Sequence, residues 1–382
     1  MSILSTEQHE AFRQKVRAFA EKEIKPIAGE LDEKEIFSVE LSQKMGKAGL
    51  YGIDLPKEYG GQGLDTLSYI IAVEELARVD SSQAATMCAH NSLGLAPIYN
   101  FGTEDQRKKY VPLLTSGEGL WAFGLTEITA GSDAQGVQTV AEDKGDHWLI
   151  NGTKRYITNG SNELMKGITV LAVTSNGDSK KRFSTILVDR DQEGFDTKRM
   201  FGKMMWRASD TAELKFSNIK ASKNQLLGKE DKGLGQMLKT LDSGRLSIAA
   251  MGLGLAQGAF EMAMNYAKKR EQFGKIISRY QVTSFKLADM ALKLELARNT
   301  LYNACALKDA GKPFGKEAAM AKLYCSDIAK EIADEAVQIF SGQGLLKSST
   351  IERFYRDQRI LQIGEGTSEI LRIVISKHLG LG

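Results

Sequence analysis

The sequence contains little cysteine, histidine or proline and has almost no net charge. Its cysteines, Cys88, Cys305 and Cys325, are odd in number and lack paired spacing. This argues against a disulfide framework or a thiolate metal site and favours a reducing compartment. The 4 histidines are far apart and show no ligand spacing, so we expect no metal. The net charge of +3 is spread along the chain and gives no reason to expect nucleic acid as a partner.

Targeting and membrane signals are also missing. The first residues, MSILSTEQHEAF, contain no basic region followed by an apolar stretch, as a secretory signal would. No uninterrupted apolar run is long enough to cross a bilayer. We therefore expect a cytoplasmic protein without membrane insertion.

The composition is that of an ordinary globular protein. A chain of 382 residues, 42% of them hydrophobic, is too long for one core and predicts two or three domains. Helical periodicity extends to about residue 118, short β-type segments follow to about residue 225, and the helical period returns from Gly233. We predict a mostly α protein with an N-terminal helical domain (1–120), a small β-barrel-like middle domain (121–230) and a C-terminal four-helix bundle (231–382).

Local signals predict where some elements begin and end. Ser5 and Gln8 have the spacing of a helix-capping box. Asn151-Gly152, between two β-type segments, predicts a hairpin turn. Gly311-Lys312-Pro313 ends a long helix that carries a broad apolar stripe. The stripe consists of Val282, Phe285, Met290, Leu294, Ala297, Leu301 and Ala304.

Two segments near the predicted β domain could bind a cofactor. The stretch Phe123–Asp133 offers hydroxyls and glycine-exposed amides that could hydrogen-bond a flavin edge or a phosphate, or it could be a plain polar connection. Tyr156 could pack on a flat heterocycle with Thr158 donating to it, or the two could simply end a strand at Asn159-Gly160. The residues alone favour the structural interpretation in both cases.

Two further segments lie in the predicted bundle. Arg270 in REQFGK could pair with a pyrophosphate, or the segment could be a helix C-terminus that Gly274 closes. Glu365 lies between two glycines, a flexible and closely approachable backbone that suits a general base beside a cofactor. The residues alone favour the other interpretation, a favourable negative charge before a helix that Thr367 or Ser368 caps.

Taken in order, these segments resemble the acyl-CoA dehydrogenase family over essentially the whole chain. The matching motifs are GLTEITAGSDA, KRYITNG, MMWRASDTAELKF, LDSGR, REQFGK, QIFSGQG, FYRDQRI and GEGTSE. The resemblance implies the family's fold, which is a helical domain, a β domain and a four-helix bundle. It also implies FAD bound between the β domain and the bundle, a homotetramer, and electron transfer to an electron-transfer flavoprotein.

The resemblance also implies roles for individual residues. Glu365 matches the family's base, which removes the α-proton of an acyl-CoA thioester while the flavin takes the β-hydride, leaving the 2,3-enoyl-CoA. The residues expected to bind FAD are Phe123, Leu125, Thr126, Ser132, Tyr156, Thr158, Arg270, Phe273, Gln281, Gln338, Gly342 and Thr367. Those expected to bind the acyl-CoA are Ser132, Asp242, Arg245, Gly364, Glu365 and Gly366, with Asp242 and Arg245 at the CoA part.

Departures from the family's usual residues bear on the substrate. They are Ile128 for Pro, Tyr156 for Trp, Ser341 for Gly and Gly364 for Tyr. A missing aromatic side chain at Gly364 would open volume beside the reacting carbons, as in members that handle branched or bulkier acyl groups. Isovaleryl-type members have a similar glycine but carry their base near Arg245, where this chain has Gly244. Because residues 84–89, expected to line the acyl pocket, are mostly small, we expect a short, branched or alicyclic acyl-CoA.

Two other functions remain open at this point. An acyl-CoA oxidase would deliver electrons to oxygen, although the short chain, without a further C-terminal domain, favours a dehydrogenase. A non-catalytic protein that binds flavin or CoA is the other alternative, and the intact Glu365 argues against it.

Overall fold

Helices occupy both ends of the chain and strands occupy its middle, as the apolar periodicity predicts. The computed structural model describes residues 4–175 and 181–381. The N-terminal helices are α1 (Glu7–Phe19), α2 (Ala28–Lys34), α3 (Val39–Lys47), α4 (Thr66–Ala77), α5 (Ser81–Cys88), α6 (Ala96–Phe101) and α7 (Glu104–Thr115). The middle strands are β1 (Leu120–Gly124), β2 (Val140–Asp143), β3 (His147–Thr158), β4 (Met165–Val173), β5 (Phe183–Asp189), β6 (Phe195–Arg199), β7 (Thr211–Ser222) and β8 (Leu226–Leu227).

The C-terminal part is helical again, apart from one short hairpin. Its elements are α8 (Gly233–Ala267), β9 (Glu271–Gln272), β10 (Lys275–Ile276), α9 (Gln281–Asp309), α10 (Gly315–Phe340), α11 (Ile351–Asp357) and α12 (Ser368–His378). The predicted fold class, helices around a middle β domain, is therefore confirmed.

The middle strands form one mixed sheet of 8 strands in the order β6-β7-β3-β2-β4-β5-β8, with β1 parallel to β4. Its buried face carries a separate apolar cluster that includes Trp148, Ile150 and Phe216. Alternation along β3 places Trp148 and Ile150 inward, while His147, Leu149 and Asn151 are more exposed. The sheet thus has its own core beside the helical one.

The predicted hairpin at Asn151-Gly152 is wrong, because β3 runs unbroken through these residues. The ladder between β3 and β7 shifts register between Ile150 and Gly152, which is a β-bulge. A Cβ on Gly152 would lie 2.4 Å from the hydroxyl of Thr139, the residue before β2, so the glycine allows this residue to approach at the bulge. The predicted capping box is also displaced by one residue, to Thr6 and His9, whose side chains satisfy both backbone donors.

Helix α8 is the central helix of the molecule. Of the described helices it is the one long and apolar enough to cross a membrane, but 78% of its most apolar stretch is buried inside the fold. Three of its glycines allow neighbouring helices to approach closely. A Cβ built on Gly252 would lie 2.7 Å from a backbone carbonyl of α10, and a Cβ on Gly254 or Gly258 would lie 2.2 Å from a backbone carbonyl in α4 or at its C-terminal end. Core packing therefore accounts for its apolar character.

The apolar stripe on α9 is buried at one end only. Met290, Leu294 and Leu301 belong to the core shared with α8 and α10. Val282 and Phe285, at the start of the helix, are 66% and 62% exposed. The outer end of the stripe is therefore an uncovered apolar surface in a single chain.

Candidate active site

Glu365 lies in a strained turn between the 3₁₀ segment Gln358–Gln362 and α12. Its φ of 53° and that of Gly366, 100°, are both left-handed. Thr367 caps α12 by accepting a hydrogen bond from the Ile370 N–H, as one of the two predicted caps requires. Two successive left-handed residues reverse the chain and turn the Glu365 side chain into the molecule.

The carboxylate of Glu365 lies against α8. A Cβ built on Gly244 would be 1.9 Å from Glu365 Oε2, so the oxygen occupies the space that a side chain at that position would need. In the part of the chain that the structure describes, Oε2 is buried and has no hydrogen-bond partner. A buried, unpartnered carboxylate oxygen is costly and is typical of a group that acts on a ligand.

Burial raises the pKa of Glu365 to about 7, and the positive charges of Lys322 and Arg245 work in the opposite direction. Burial also raises the pKa values of Tyr69 and Cys88, and the negative charge of Glu365 raises both further. Glu365 therefore sits in an enclosure formed by α4, α5, α8 and α10, with a pKa suited to a general base near neutral pH.

The predicted CoA-binding pair is also assembled on α8. An Arg245 Nη1 donates to Asp242 Oδ1 at 2.5 Å. Arg245 is buried, and its Nε has no partner among the described residues. Burial raises the pKa of Asp242, while Arg245 lowers it. Arg245 therefore interacts with two carboxylates: it donates a hydrogen bond to Asp242, and its positive charge favours the ionised form of Glu365.

The predicted flavin loop is attached to β3 by a buried ion pair. Lys154 Nζ donates to Glu127 Oε1 at 2.7 Å and to the Leu125 carbonyl at 3.2 Å. The Arg155 N–H donates to the Thr126 carbonyl at 2.9 Å, which places Thr126 beside the backbone of Tyr156. Burial lowers the pKa of Lys154 to about 8. Burial opposes ionisation of Glu127, but the Lys154 ammonium outweighs it and the pKa of Glu127 is lowered.

The end of β3 presents an exposed aromatic ring beside a polar edge. Tyr156 is left-handed, with φ 60°, and 59% exposed. Thr158 is half-buried, and the next residue, Asn159, donates to the Thr86 carbonyl of α5 at 3.1 Å. The hydroxyls of Thr126 and Thr158 next to an open ring are the groups needed to hold a flat, polar-edged heterocycle, so these residues fit a flavin. Phe123 and Leu125 lie behind them, and Ser132 is exposed on the loop.

A second group of predicted cofactor residues lies on the outer surface of the bundle. Phe273 is 97% exposed, and with Gln338 it lines a hollow of about 450 Å³. Arg270, Gln281 and Gly342 are exposed as well. In the described residues of one chain no hydrogen bond or ion pair joins this group to Thr126, Tyr156 or Thr158. Thr367, also predicted to approach FAD, lies apart from both sets in the sequence, at the start of α12.

The alternative prediction that REQFGK is a helix C-terminus is wrong. Helix α8 already ends at Ala267, and Phe273-Gly274 forms the turn between β9 and β10. Both turn residues have positive φ, 52° and 71°, as a tight hairpin of this kind requires. The exposed Phe273 ring is thereby carried at a hairpin tip.

Sequence reasoning missed several residues of the site. Lys322 and Tyr69 lie beside Glu365 but belong to helices whose pattern predicts only core packing, whereas Cys88 belongs to the segment expected to line the acyl pocket. One signal was available for Lys154, because it interrupts the inward-facing positions of a strand that begins with Trp148 and Ile150. Lys322 likewise interrupts an apolar face of α10, and a lysine inside such a face requires a buried partner.

Comparison with known proteins adds to this geometry. Three models of the acyl-CoA dehydrogenase family match the chain in order: the N-terminal domain at residues 6–118, the middle domain at 122–219 and the C-terminal domain at 231–380. The chain belongs to the acyl-CoA dehydrogenase family. The predictions of the family and of an oxidoreductase that acts on acyl-CoA are confirmed.

Several relatives match this chain over nearly their whole length. The short-chain specific acyl-CoA dehydrogenase of Clostridium acetobutylicum is 44% identical over 98% of this chain and 99% of its own. Butyryl-CoA dehydrogenase from Megasphaera elsdenii is 40% identical, with a TM-score of 0.95 and coverage of 99% and 100%. A chain from a structure described as the electron transferring flavoprotein of Acidaminococcus fermentans is 44% identical, with a TM-score of 0.95 and coverage of 99% and 99%. Glutaryl-CoA dehydrogenase from Mycobacterium smegmatis, solved in complex with FADH2, is 31% identical, with a TM-score of 0.93 and coverage of 98% and 95%. This last structure supports the predicted cofactor, FAD.

Proposed function

We propose that this enzyme converts a short acyl-CoA thioester to its 2,3-enoyl-CoA with Glu365 as the base and FAD as the cofactor. The observation that carries the proposal is the Glu365 carboxylate, which is buried against Gly244, has an unpartnered oxygen and has a pKa raised to about 7. A carboxylate with this pKa is substantially ionised at neutral pH and is still a better base than an exposed one.

The chain's own residues position the substrate for proton removal. An α-proton of a saturated thioester is weakly acidic, and its loss requires a donor to the thioester oxygen where negative charge develops. Within the described residues the Glu365 N–H makes no hydrogen bond, so it is available for this role. FAD, when bound, supplies the acceptor for the β-hydride. Its ring would be held by Thr126, Tyr156 and Thr158.

The CoA part of the substrate would lie along α8. Arg245 has a buried Nε without a partner in the described structure, which leaves a donor for a ligand. Asp242 accepts from Arg245 and fixes its guanidinium. The thioester would then lie close to Glu365, because Arg245 is near enough to act on that carboxylate.

The substrate proposal is a short acyl group, with room for a branch or ring. The three atoms nearest to a Cβ built on Gly364 all belong to Ile360, at 3.6–3.9 Å, so a side chain could begin there without a clash and its absence leaves space. Helix α5, which is expected to line the acyl pocket, is fully buried. Names of similar proteins, short-chain specific and butyryl-CoA dehydrogenase, support a short chain.

We further propose an electron-transfer flavoprotein as electron acceptor, a homotetramer, and a soluble enzyme of the cytoplasm with domains at 1–120, 121–230 and 231–382. The similarity to a chain from the Acidaminococcus fermentans structure supports the acceptor. The exposed side chains of Phe273, Val282 and Phe285 support assembly, because single chains rarely leave such neighbouring apolar groups uncovered. Gln281 and Arg270 would then reach a cofactor across a subunit interface.

The test is an anaerobic titration of the purified flavoprotein with butyryl-, isobutyryl-, cyclohexanoyl- and palmitoyl-CoA. We expect a short or branched member to bleach the flavin band and Glu365→Gln to retain FAD without bleaching. Bleaching by palmitoyl-CoA alone would refute the substrate proposal, and wild-type bleaching in the variant would refute the assignment of the base. Stoichiometric hydrogen peroxide in air, without transfer to an electron-transfer flavoprotein, would identify an oxidase instead.

A further inference from the structure

Lys322 is a fully buried lysine on α10 that lies beside the turn carrying Glu365. Its Nζ donates to the carbonyl oxygen of Gly366 at 2.7 Å. Gly366 is the second of the two left-handed residues that reverse the chain before α12. The bond therefore joins the bundle to the backbone that orients the Glu365 side chain.

The partner of this buried ammonium is a backbone carbonyl, not a carboxylate. A neutral donor could make the same hydrogen bond without the cost of burying a charge. The positive charge must therefore be stabilised by something else nearby. Burial lowers the pKa of Lys322 to about 8; Glu365 is the strongest of the groups that oppose this shift, ahead of Asp327 and Glu369, while Arg245 adds to it.

Four helices around Glu365 each contribute a group whose ionisation is coupled to that of its carboxylate. Tyr69 from α4 and Cys88 from α5 are neutral acids whose own ionisation it disfavours. Arg245 from α8 and Lys322 from α10 are the cations that favour its ionised form, and Lys322 is the stronger of the two. Removal of Lys322 would thus leave the enclosure with a single, weaker cation.

We propose that Lys322 is a positioning residue for the catalytic carboxylate, holding the turn through Gly366 and keeping Glu365 ionised where the thioester binds. This inference rests on the proposed role of Glu365 as the base. Lys322 does not touch the reacting atoms; it acts through the Gly366 carbonyl and through the charge it places near Glu365.

The test compares the pH dependence of anaerobic flavin reduction by butyryl-CoA in Lys322→Gln, Lys322→Arg and the wild type. Lys322→Gln keeps a donor for the Gly366 carbonyl and removes the charge, so we expect the midpoint of the profile to move upward by about one pH unit. Such a shift lowers the rate at neutral pH by about fivefold and leaves the rate at high pH nearly unchanged. Lys322→Arg, which retains the charge, should keep the midpoint of the wild type.

Lys330→Gln is the matched control, since Lys330 is an exposed lysine on the same helix. It should leave the profile unchanged. An unmoved midpoint in Lys322→Gln, or an equal shift in Lys322→Arg, overturns the inference. If Lys322→Gln does not fold, the same comparison is made with Lys322→Met. If neither neutral variant folds, the result for Lys322→Arg decides. Full activity with the wild-type midpoint supports the requirement for a charge, and a shifted midpoint contradicts it.

The variant Glu365→Gln separates this inference from the proposed function. If Glu365→Gln is inactive while Lys322→Gln keeps the wild-type midpoint, only the role of Lys322 fails. If Glu365→Gln reduces flavin at the wild-type rate, the proposed base fails first.

Discussion

The carboxylate of Glu365 and the backbone of Gly244 are in such close contact that a Cβ on Gly244 would lie 1.9 Å from Glu365 Oε2. The Glu365 carboxylate fits against α8 because Gly244 has no side chain. Any residue larger than glycine at this position of α8 must displace the carboxylate or the helix. Since α8 is the central helix and is packed on several sides, we expect the carboxylate to move.

This contact predicts the effect of Gly244→Ala. The new methyl group should push the Glu365 carboxylate from its place and lower the rate of flavin reduction by about 100-fold, the usual consequence of a misplacement of about 1 Å at a reacting group. FAD content should not change, because Gly244 is not among the residues that fit the flavin. Stopped-flow absorbance under anaerobic conditions measures the rate.

The control for this prediction is Gly235→Ala on the same helix. A Cβ at Gly235 has no atom within 4 Å, so this substitution introduces the same methyl group in open space. It should leave the rate of flavin reduction at the wild-type value. An equal loss of rate in both variants would mean that alanine disturbs α8 itself and not the base.

Some of this site could be predicted from the sequence, and the reason is local. The segment around Glu365 and Thr367 predicts a helix cap and offers an acid beside it without reference to distant residues, and the resemblance to the family then assigned that acid as the base. Lys322 could not be assigned in this way, because its meaning comes from a contact with Gly366 that only the packing of α10 on the C-terminal turn creates. Gly244 was recognised from the family pattern, but not its contact with Glu365.

The wrong prediction at Asn151-Gly152 has the same origin. An Asn-Gly pair between alternating segments is a strong hairpin signal, since both residues tolerate the positive φ of a tight turn. Here Asn151 donates through its amide to Asn218 on β7, and Gly152 makes room for Thr139. Pairing with the distant strand β7 keeps β3 continuous through these residues, and that pairing is not visible in the local sequence.

The ion pair between Lys154 and Glu127 predicts a large effect of Lys154→Met. Removal of one partner of a buried pair typically costs about 3–5 kcal/mol, because the other charge stays buried without compensation. Glu127 also accepts from the Gln138 and Thr139 N–H groups, so the loop of residues 125–139 should loosen. We expect a lower thermal midpoint and weaker FAD binding, measured by differential scanning calorimetry and by release of flavin fluorescence.

The double variant Lys154→Met/Glu127→Gln tests the cause. It removes both charges and keeps an oxygen that can accept from the loop backbone. Recovery of more than half of the lost thermal stability would support the uncompensated charge as the reason. A double variant as unstable as the single one would instead assign the loss to packing around Lys154.

The buried carboxyl group of Asp357 predicts how stability depends on pH. Burial, aided by the negative charge of Asp80, raises its pKa from 3.8 to about 7. A folded state with the higher pKa binds more protons than the unfolded chain between these values. This contribution to stability is therefore complete below the unfolded pKa and is lost as pH rises through about 7, amounting to about 1 kcal/mol between about pH 6 and 8.

Asp357→Asn removes this dependence and keeps an oxygen for the Trp206 N–H, which donates to Asp357 Oδ1 at 2.8 Å. Urea unfolding at several pH values should show a smaller decrease in stability between about pH 6 and 8 in the variant than in the wild type. Asp334→Asn, at an exposed carboxylate on α10, should follow the wild type. Identical slopes for Asp357→Asn and the wild type would show that Asp357 does not titrate in this range.

The uncovered apolar residues around α9 predict that assembly and cofactor binding depend on each other. Phe273 and Phe285 are 97% and 62% exposed, and the hollow beside Phe273 also contains Gln338. If a second copy covers this surface, Phe285→Glu places a charge in an interface and should dissociate the proposed tetramer. The dissociated chain should also bind FAD more weakly, because residues expected to hold the dinucleotide lie on this surface, far along the chain from Thr126 and Tyr156. Mass measurement by light scattering, with FAD content measured on the same fractions, tests both effects.

The control is Ile36→Glu, which alters another exposed apolar residue, 43% exposed, in the N-terminal helical region. It should change neither the mass nor the FAD content. A Phe285→Glu protein that keeps the mass and FAD content of the wild type would exclude this surface as the interface.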